Sequence, residues 1–317
     1  MTAYDKPLSG PAGREKPKRK PNNRRELPHG TLMASLFILP AVILVAVLMY
    51  YPMVSTFRES LYTTSFLSPT PEFVGFETYR DMFGDDEFWQ IVTNTLIWTA
   101  AVVIFQNIVG MGAALLVNEN LPTRGIVRAV ILLPWVLPGI IGAILWRFMY
   151  DPQLGLINSM LLGWGIIDGR IGWLAETQTA MMAVIIAAVW KGFPFSTVIF
   201  LAALQGVDKE QIEAAQIDGA NVVQRFFRII IPSMAGIIRL NLLLTTIFTF
   251  NYFDMVWVTT GGGPLDATHI FPTRIYELGF GQFRFGEASA YGVISVVMLS
   301  IFALLYLNEL RPSKAER

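Results

Sequence analysis

Six blocks of mainly apolar residues, at about 32–52, 93–117, 126–149, 180–204, 231–257 and 287–307, divide the chain between stretches rich in charge. Each block is near the roughly 20 residues that a helix needs to cross the hydrocarbon layer of a bilayer. The apolar residues run on through each block and are not confined to one face, as they would be in a surface helix of a soluble domain. Lipid offers no partner to an unpaired backbone group, so each block predicts a helix. The expected fold class is therefore all-α, a polytopic membrane protein with six transmembrane helices.

Composition agrees with this pattern. Hydrophobic residues make up 53% of the chain and charged residues only 15%, against about 25% charged in a typical soluble domain. A net charge of zero argues against a nucleic-acid partner. Cysteine is absent, which excludes disulfides and thiolate metal sites.

Charge then sets the expected domains and orientation. Residues 1–31 hold eight Lys/Arg and five prolines and read as a disordered basic tail. The basic stretch is too long for a signal peptide and no small-residue cleavage site follows the first apolar block, which is expected to remain as an anchor. Residues 32–310 form the expected membrane domain, with a polar loop at 205–229, and 311–317 form a second tail. With the N-terminus inside, sixteen Lys/Arg fall on the inner side and five on the outer side. The positive-inside rule thus predicts that both termini are cytoplasmic. The outer loop 53–92 carries seven carboxylates and reads as a solvated acidic loop or as a docking surface for a partner.

No catalytic centre is legible. There is no Gly-Lys pair for a phosphate-binding loop, no H-E-x-x-H and no G-x-S-x-G, and the two histidines are His29 and His269. The expectation is a chain that is not an enzyme, with no cofactor, no metal and no catalytic residue.

The polar loop between the fourth and fifth blocks is the most specific feature. Asp208-Lys209-Glu210 suits a helix N-terminus, where acidic side chains meet the positive dipole end. Glu213, Ala214 and Ala215 continue a short helix with small side chains, and Gly219 can end it in the left-handed conformation. Such a helix is either an ordinary amphipathic connector or a flat face that another protein can approach.

Glu213-Ala214-Ala215, three residues, Gly219, nine residues and then Ile229-x-Ile231-Pro232 resembles the EAA signature of ABC importer permeases, with Ile231 in place of the usual Leu. Thr259 to Pro264, Phe285 to Ala290 and Trp190-Lys191-Gly192-Phe193-Pro194-Phe195 are similar to segments of the maltose and glycerol-phosphate branch of the carbohydrate permeases. The resemblance implies the type I ABC importer permease fold and import of a sugar or sugar derivative across a bacterial cytoplasmic (inner) membrane. It implies four partners: a second homologous permease, a homodimeric ATP-binding subunit, an extracytoplasmic solute-binding protein and membrane lipid. Glu213, Ala214, Ala215, Asp218 and Gly219 would then form the contact with the ATPase.

The residues also suggest a solute pathway. Gly192 and Pro194 are expected to interrupt the fourth helix near its middle. Lys191 beside them should face a cavity, a partner helix or the solute, because charge at membrane depth is costly. Thr245, Phe248, Thr249 and Tyr252 follow i, i+3, i+4, i+7 and share one face of a continuous helix. Hydroxyls beside rings suit a sugar, and such a stripe can equally join two helices. These four, with Lys191, Gly192 and Phe195, also match by position the solute-contacting residues of the maltose-type permease. An ion-coupled secondary transporter would account for a broken helix and a buried lysine too, but would not need the Glu213 loop.

Overall fold

In this computed structural model, backbone is described for residues 28–63, 70–119 and 122–309, and side chains for the same segments from 35 to 306. The expected tail at 311–317 and residues 1–27 of the expected tail at 1–31 lie outside them; residues 28–31 belong instead to the first helix. The chain divides into two compact units, Met1–Met53 and Val54–Arg317.

The first unit holds α1 (Pro28–Val45) and a π-helical turn, Ala46–Tyr50; α2 (Tyr51–Glu59) begins in it and continues into the second unit. Ser35–Glu59 is one apolar helix long enough to cross a membrane, so the expected block at 32–52 extends seven residues further.

After the end of α2 the second unit continues with a hairpin of two-residue strands, β1 (Tyr62–Thr63) and β2 (Glu72–Phe73), paired antiparallel with Tyr62 opposite Phe73. α3 (Glu77–Phe83) follows, then α4 (Asp86–Asn118), α5 (Arg124–Val136), α6 (Gly139–Met149), α7 (Leu156–Gly163) and α8 (Thr177–Gln205). The polar loop forms α9 (Lys209–Ile217), α10 (Val222–Arg225), a π turn Phe226–Ile230 and α11 (Ile231–Ser233). α12 (Ala235–Phe250), α13 (Phe253–Thr260), α14 (Phe271–Tyr276), a π turn Glu277–Gly281 and α15 (Phe285–Glu309) complete it.

Membrane-length helices appear in two forms. Ser35–Glu59, Asp86–Asn118, Thr177–Gln205 and Phe285–Tyr306 are unbroken. The expected third span is instead two helices, α5 and α6, bent by 98°, and the segments Val222–Ser233 and Ala235–Phe250 are bent by 72°. Pro138 lies at the first bend; it has no N–H to offer the carbonyl of Pro134 four residues back. The expected fifth span also breaks at Asn251–Tyr252, where α13 starts afresh.

The fourth span corrects the expectation in the other direction. α8 passes through Gly192 and Pro194 as one helix of 29 residues. Gly192 serves packing instead: a Cβ there would lie 2.3 Å from Gln106 Oε1 on α4. Gly110 of α4 does the same against α8, where a Cβ would lie 2.6 Å from that of Ser196. Small residues let these two helices approach closely, the usual device when lipid removes the hydrophobic drive.

The outer surface is apolar, and some polar side chains are buried between the helices. Gln106, Asn107, Ser196, Asn241 and Thr245 are buried, while Ile97, Ile104, Phe105 and Ile108 of α4 and Val296, Val297, Ile301 and Leu304 of α15 are exposed. One apolar cluster joins Trp98 and Val102 of α4 to Trp146 of α6, Ala183 and Ala187 of α8, and Met255 of α13. A second gathers Phe88 and Ile91 of α4 with Phe250, Phe271 and Tyr291. A third, Ala114, Phe200, Leu204, Val207 and Met234, lies next to α9 and packs against its Ile212.

Candidate functional site

A cavity of about 410 Å³ opens between α4, α5, α8 and the α12–α13 break. It is lined by Gln106, Trp135, Lys191, Gly192, Phe195, Phe248, Thr249 and Tyr252. Six of the seven expected pathway residues meet here. The exception is Thr245, which is buried, donates to Asn241 O at 2.8 Å and accepts from Asn107 Nδ2 at 3.2 Å. Its side chain serves helix packing. Tyr252 reaches the cavity by another route than expected: α12 stops at Phe250, and Tyr252 has the extended backbone (φ −80°, ψ 91°) that caps α13.

The walls differ in character. Trp135, Phe195 and Phe248 form a continuous aromatic side, with ring centroids 6.3 Å and 5.7 Å apart. Gln106, Lys191, Thr249 and Tyr252 bring polar groups to the same cavity. Apolar walls with a few placed polar groups are the general form of a small-molecule site.

Gln106 and Trp135 were not among the expected site residues. Two adjacent amides, Gln106-Asn107, inside an apolar block were the available signal for the first. The second sits between Pro134 and Pro138, and nothing in the local sequence marks it.

Gln106 is held from behind. Its Nε2 lies 3.3 Å from Ser196 Oγ, which also accepts from Asn241 Nδ2 at 3.0 Å. Asn241 Nδ2 donates to Asn107 Oδ1 at 2.7 Å as well. This buried polar chain ties α4, α8 and α12 together beneath the cavity. Lys191 donates from Nζ to Trp135 O at 3.1 Å, and no carboxylate of the described residues forms an ion pair with it.

The expected contact loop has the local structure its residues dictate. Asp208 caps α9, its Oδ1 accepting from Glu210 N at 2.9 Å. The helix ends in a Schellman motif: Ala220 N donates to Ala215 O at 2.9 Å and Gly219 N to Gln216 O at 3.1 Å. Gly219 takes the left-handed turn, with φ +84°. Asn221 then opens α10 with a reciprocal capping box to Gln224, and Arg225 Nη1 reaches back to Gln216 Oε1 at 2.7 Å. Glu213, Ala214, Asp218 and Gly219 are exposed and Ala215 is half-buried. Ile217, Val222, Val223 and Phe227 leave apolar side chains exposed beside them.

A third cluster holds the loop after α13. The buried ring of His269 lies against Gly262, with Nε2 3.0 Å from Glu277 Oε2 and 3.6 Å from Asp266 Oδ1. Arg274 pairs with Glu277 at 2.9 Å and with Glu87 at the start of α4. Burial lowers the His269 pKa below its ordinary value; Glu277 and Asp266 pull it back, and Arg274 adds to the lowering.

Comparison with known proteins gives the following. The family model for the inner membrane component of binding-protein-dependent transport systems matches residues 106–311. The chain is 36% identical over 276 residues to the trehalose/maltose transport system permease protein of Thermococcus litoralis, covering 86% of this chain and 92% of that protein. It is 31% identical over 265 residues to the sn-glycerol-3-phosphate transport system permease protein of Yersinia pestis, covering 83% and 89%. A chain of a bacterial ABC transporter that imports the acidic polysaccharide alginate superposes with a TM-score of 0.77 over 90% of this chain and 97% of that one, at 23% identity.

Proposed function

Since this chain belongs to the inner membrane components of binding-protein-dependent transport systems, we propose that it forms half of the translocation channel of an ATP-driven importer for a sugar or sugar derivative. It is a membrane-spanning permease with the fold of ABC importer permeases. The relatives favour this reading over an ion-coupled secondary transporter.

The energy would come from a separate homodimeric ATPase, docked on α9. The observation that carries this is the exposed α9–α10 surface: Glu213 and Ala214 stand beside Ile217, Val222 and Val223, apolar groups left uncovered next to a helix fixed at both ends by its caps. A rigid short helix with an apolar surround suits a handle gripped by another protein. A second permease would complete the channel, and an extracytoplasmic binding protein would deliver the solute. In this reading both termini and α9 are cytoplasmic, and Lys191, Gly192, Phe195, Phe248, Thr249 and Tyr252 touch the solute, with Gln106 and Trp135 added. The aromatic side would cover the C–H face of a sugar ring and the polar groups its hydroxyls.

The test is ATP hydrolysis by the complex of this chain with its co-expressed ATPase, second permease and binding protein. The panel is trehalose, maltose and sn-glycerol 3-phosphate. Stimulation that requires both the binding protein and one member of the panel is expected. A complex without an ATPase, or no stimulation by any member, contradicts the proposal.

A further inference from the structure

The bend between α5 and α6 raises a question of backbone chemistry. A helix leaves its last carbonyls without intrahelical donors, and α5 ends at Val136 inside an apolar setting. In an unbroken helix the carbonyl of Trp135 would take the N–H of Gly139. Here it takes the ammonium of Lys191, at 3.1 Å, from α8. A cation at the negative end of a helix is also favoured by the dipole. The stem of the same lysine lies against the other half of the bent span: a Cβ on Gly142 of α6 would sit 3.7 Å from Lys191 Cδ. Lys191 is therefore bonded to the end of α5 and faces Gly142 of α6 on the other side of a 98° break, and Lys191 and Trp135 both line the cavity.

An ammonium has three N–H donors, and Trp135 takes one. We propose that Lys191 is a positioning residue that joins solute recognition to the geometry of the broken span. It caps α5 with one donor and turns the others to a hydroxyl or anionic oxygen of the solute. This inference rests on the channel reading of the cavity. A solute that holds the ammonium in place holds the bend in place, and by linkage a well-formed bend raises solute affinity to the same degree. Lys191 is thereby distinct from Phe195 and Thr249, which line the cavity without bridging the break.

The experiment uses the full complex in lipid nanodiscs. The chain contains no native cysteine, so spin labels can be placed at exposed Val130 on α5 and Ile141 on α6. With unsubstituted Lys191, the stimulating sugar of the panel is expected to narrow the distance distribution across the break. With Lys191→Met the distribution should be broad with or without sugar, and half-maximal stimulation should need about tenfold more sugar or beyond, as for a lost hydrogen bond to a charged group. Lys191→Arg should restore the narrowing at least in part. A distribution that ignores sugar in the unsubstituted chain overturns the proposal, whether or not Lys191→Met assembles. So does a Lys191→Met complex that loses sugar affinity but keeps the narrowing, because the lysine would then be a solute contact alone. Basal ATP hydrolysis and co-purification with the ATPase report on the importer reading separately. If those fail, the importer reading falls; if they hold while the distances do not respond, only the role of Lys191 falls.

Discussion

Gly219 carries a prediction that separates backbone from side chain. Its φ of +84° costs a non-glycine residue about 1–2 kcal/mol, yet nothing lies within 4 Å of a Cβ built there. Loss of function on substitution therefore does not report a clash within this chain. Gly219→Asn, which tolerates the left-handed region, should keep most solute-stimulated ATP hydrolysis, and Gly219→Val should lose most of it while basal hydrolysis continues. Equal activity in both variants would sink the role given to the turn. His269 makes the second residue-scale prediction. Its folded pKa is below the ordinary value of about 6.5, so its buried neutral ring contributes stability in full above that pH. The contribution is lost as pH falls from about 6.5 through the lower folded value. Thermal unfolding at pH 7 and pH 5 should show a drop that His269→Gln makes shallower; an unchanged drop would assign the acid sensitivity to other groups. The turn at Gly219 was legible because Glu213, Ala214, Ala215 and Gly219 are neighbours in sequence. Gln106 was not, because its place in the cavity wall depends on Gly192 of another helix leaving room for its amide.

Among the helices, the departures from expectation all concern backbone continuity. Proline was read as a breaker at 194 and passed over at 138, and the structure reverses both. Pro194 lies inside a helix packed along much of its length on α4 and is itself buried, so neighbours hold the helix straight through the lost hydrogen bond. Pro138 closes a segment that also holds Pro134, and the chain turns there. Local sequence lists the missing donors but not which neighbours compensate for them. The same limit misplaced Thr245, whose hydroxyl is taken by Asn241 O and Asn107 Nδ2. The polar chain behind the cavity gives the element-scale prediction. Asn241→Leu strips donors from Asn107 Oδ1 and Ser196 Oγ, both buried. It should destabilise the protein by about 1–3 kcal/mol and loosen Gln106, so that the melting temperature falls and the sugar needed for half-stimulation rises. A variant as stable as the original would show that the polar chain is not a structural tie.

At the scale of the whole molecule, the apolar exterior of the second unit follows from lipid as solvent, and hydropathy is enough to predict it. Hydropathy also located six spans, of which the structure keeps four as single helices and bends two. In the proposed importer the energy comes from a separate ATPase docked on α9. The most direct measurement uses a single cysteine at Ala214, introduced into a chain that has none of its own. In intact cells an impermeant maleimide should fail to label Ala214→Cys, whereas in inverted vesicles it should label it, and a short bifunctional cross-linker should join it to the ATPase subunit. Labelling from outside intact cells, or ATP-dependent transport by a complex in which residue 214 never contacts the ATPase, would contradict the account.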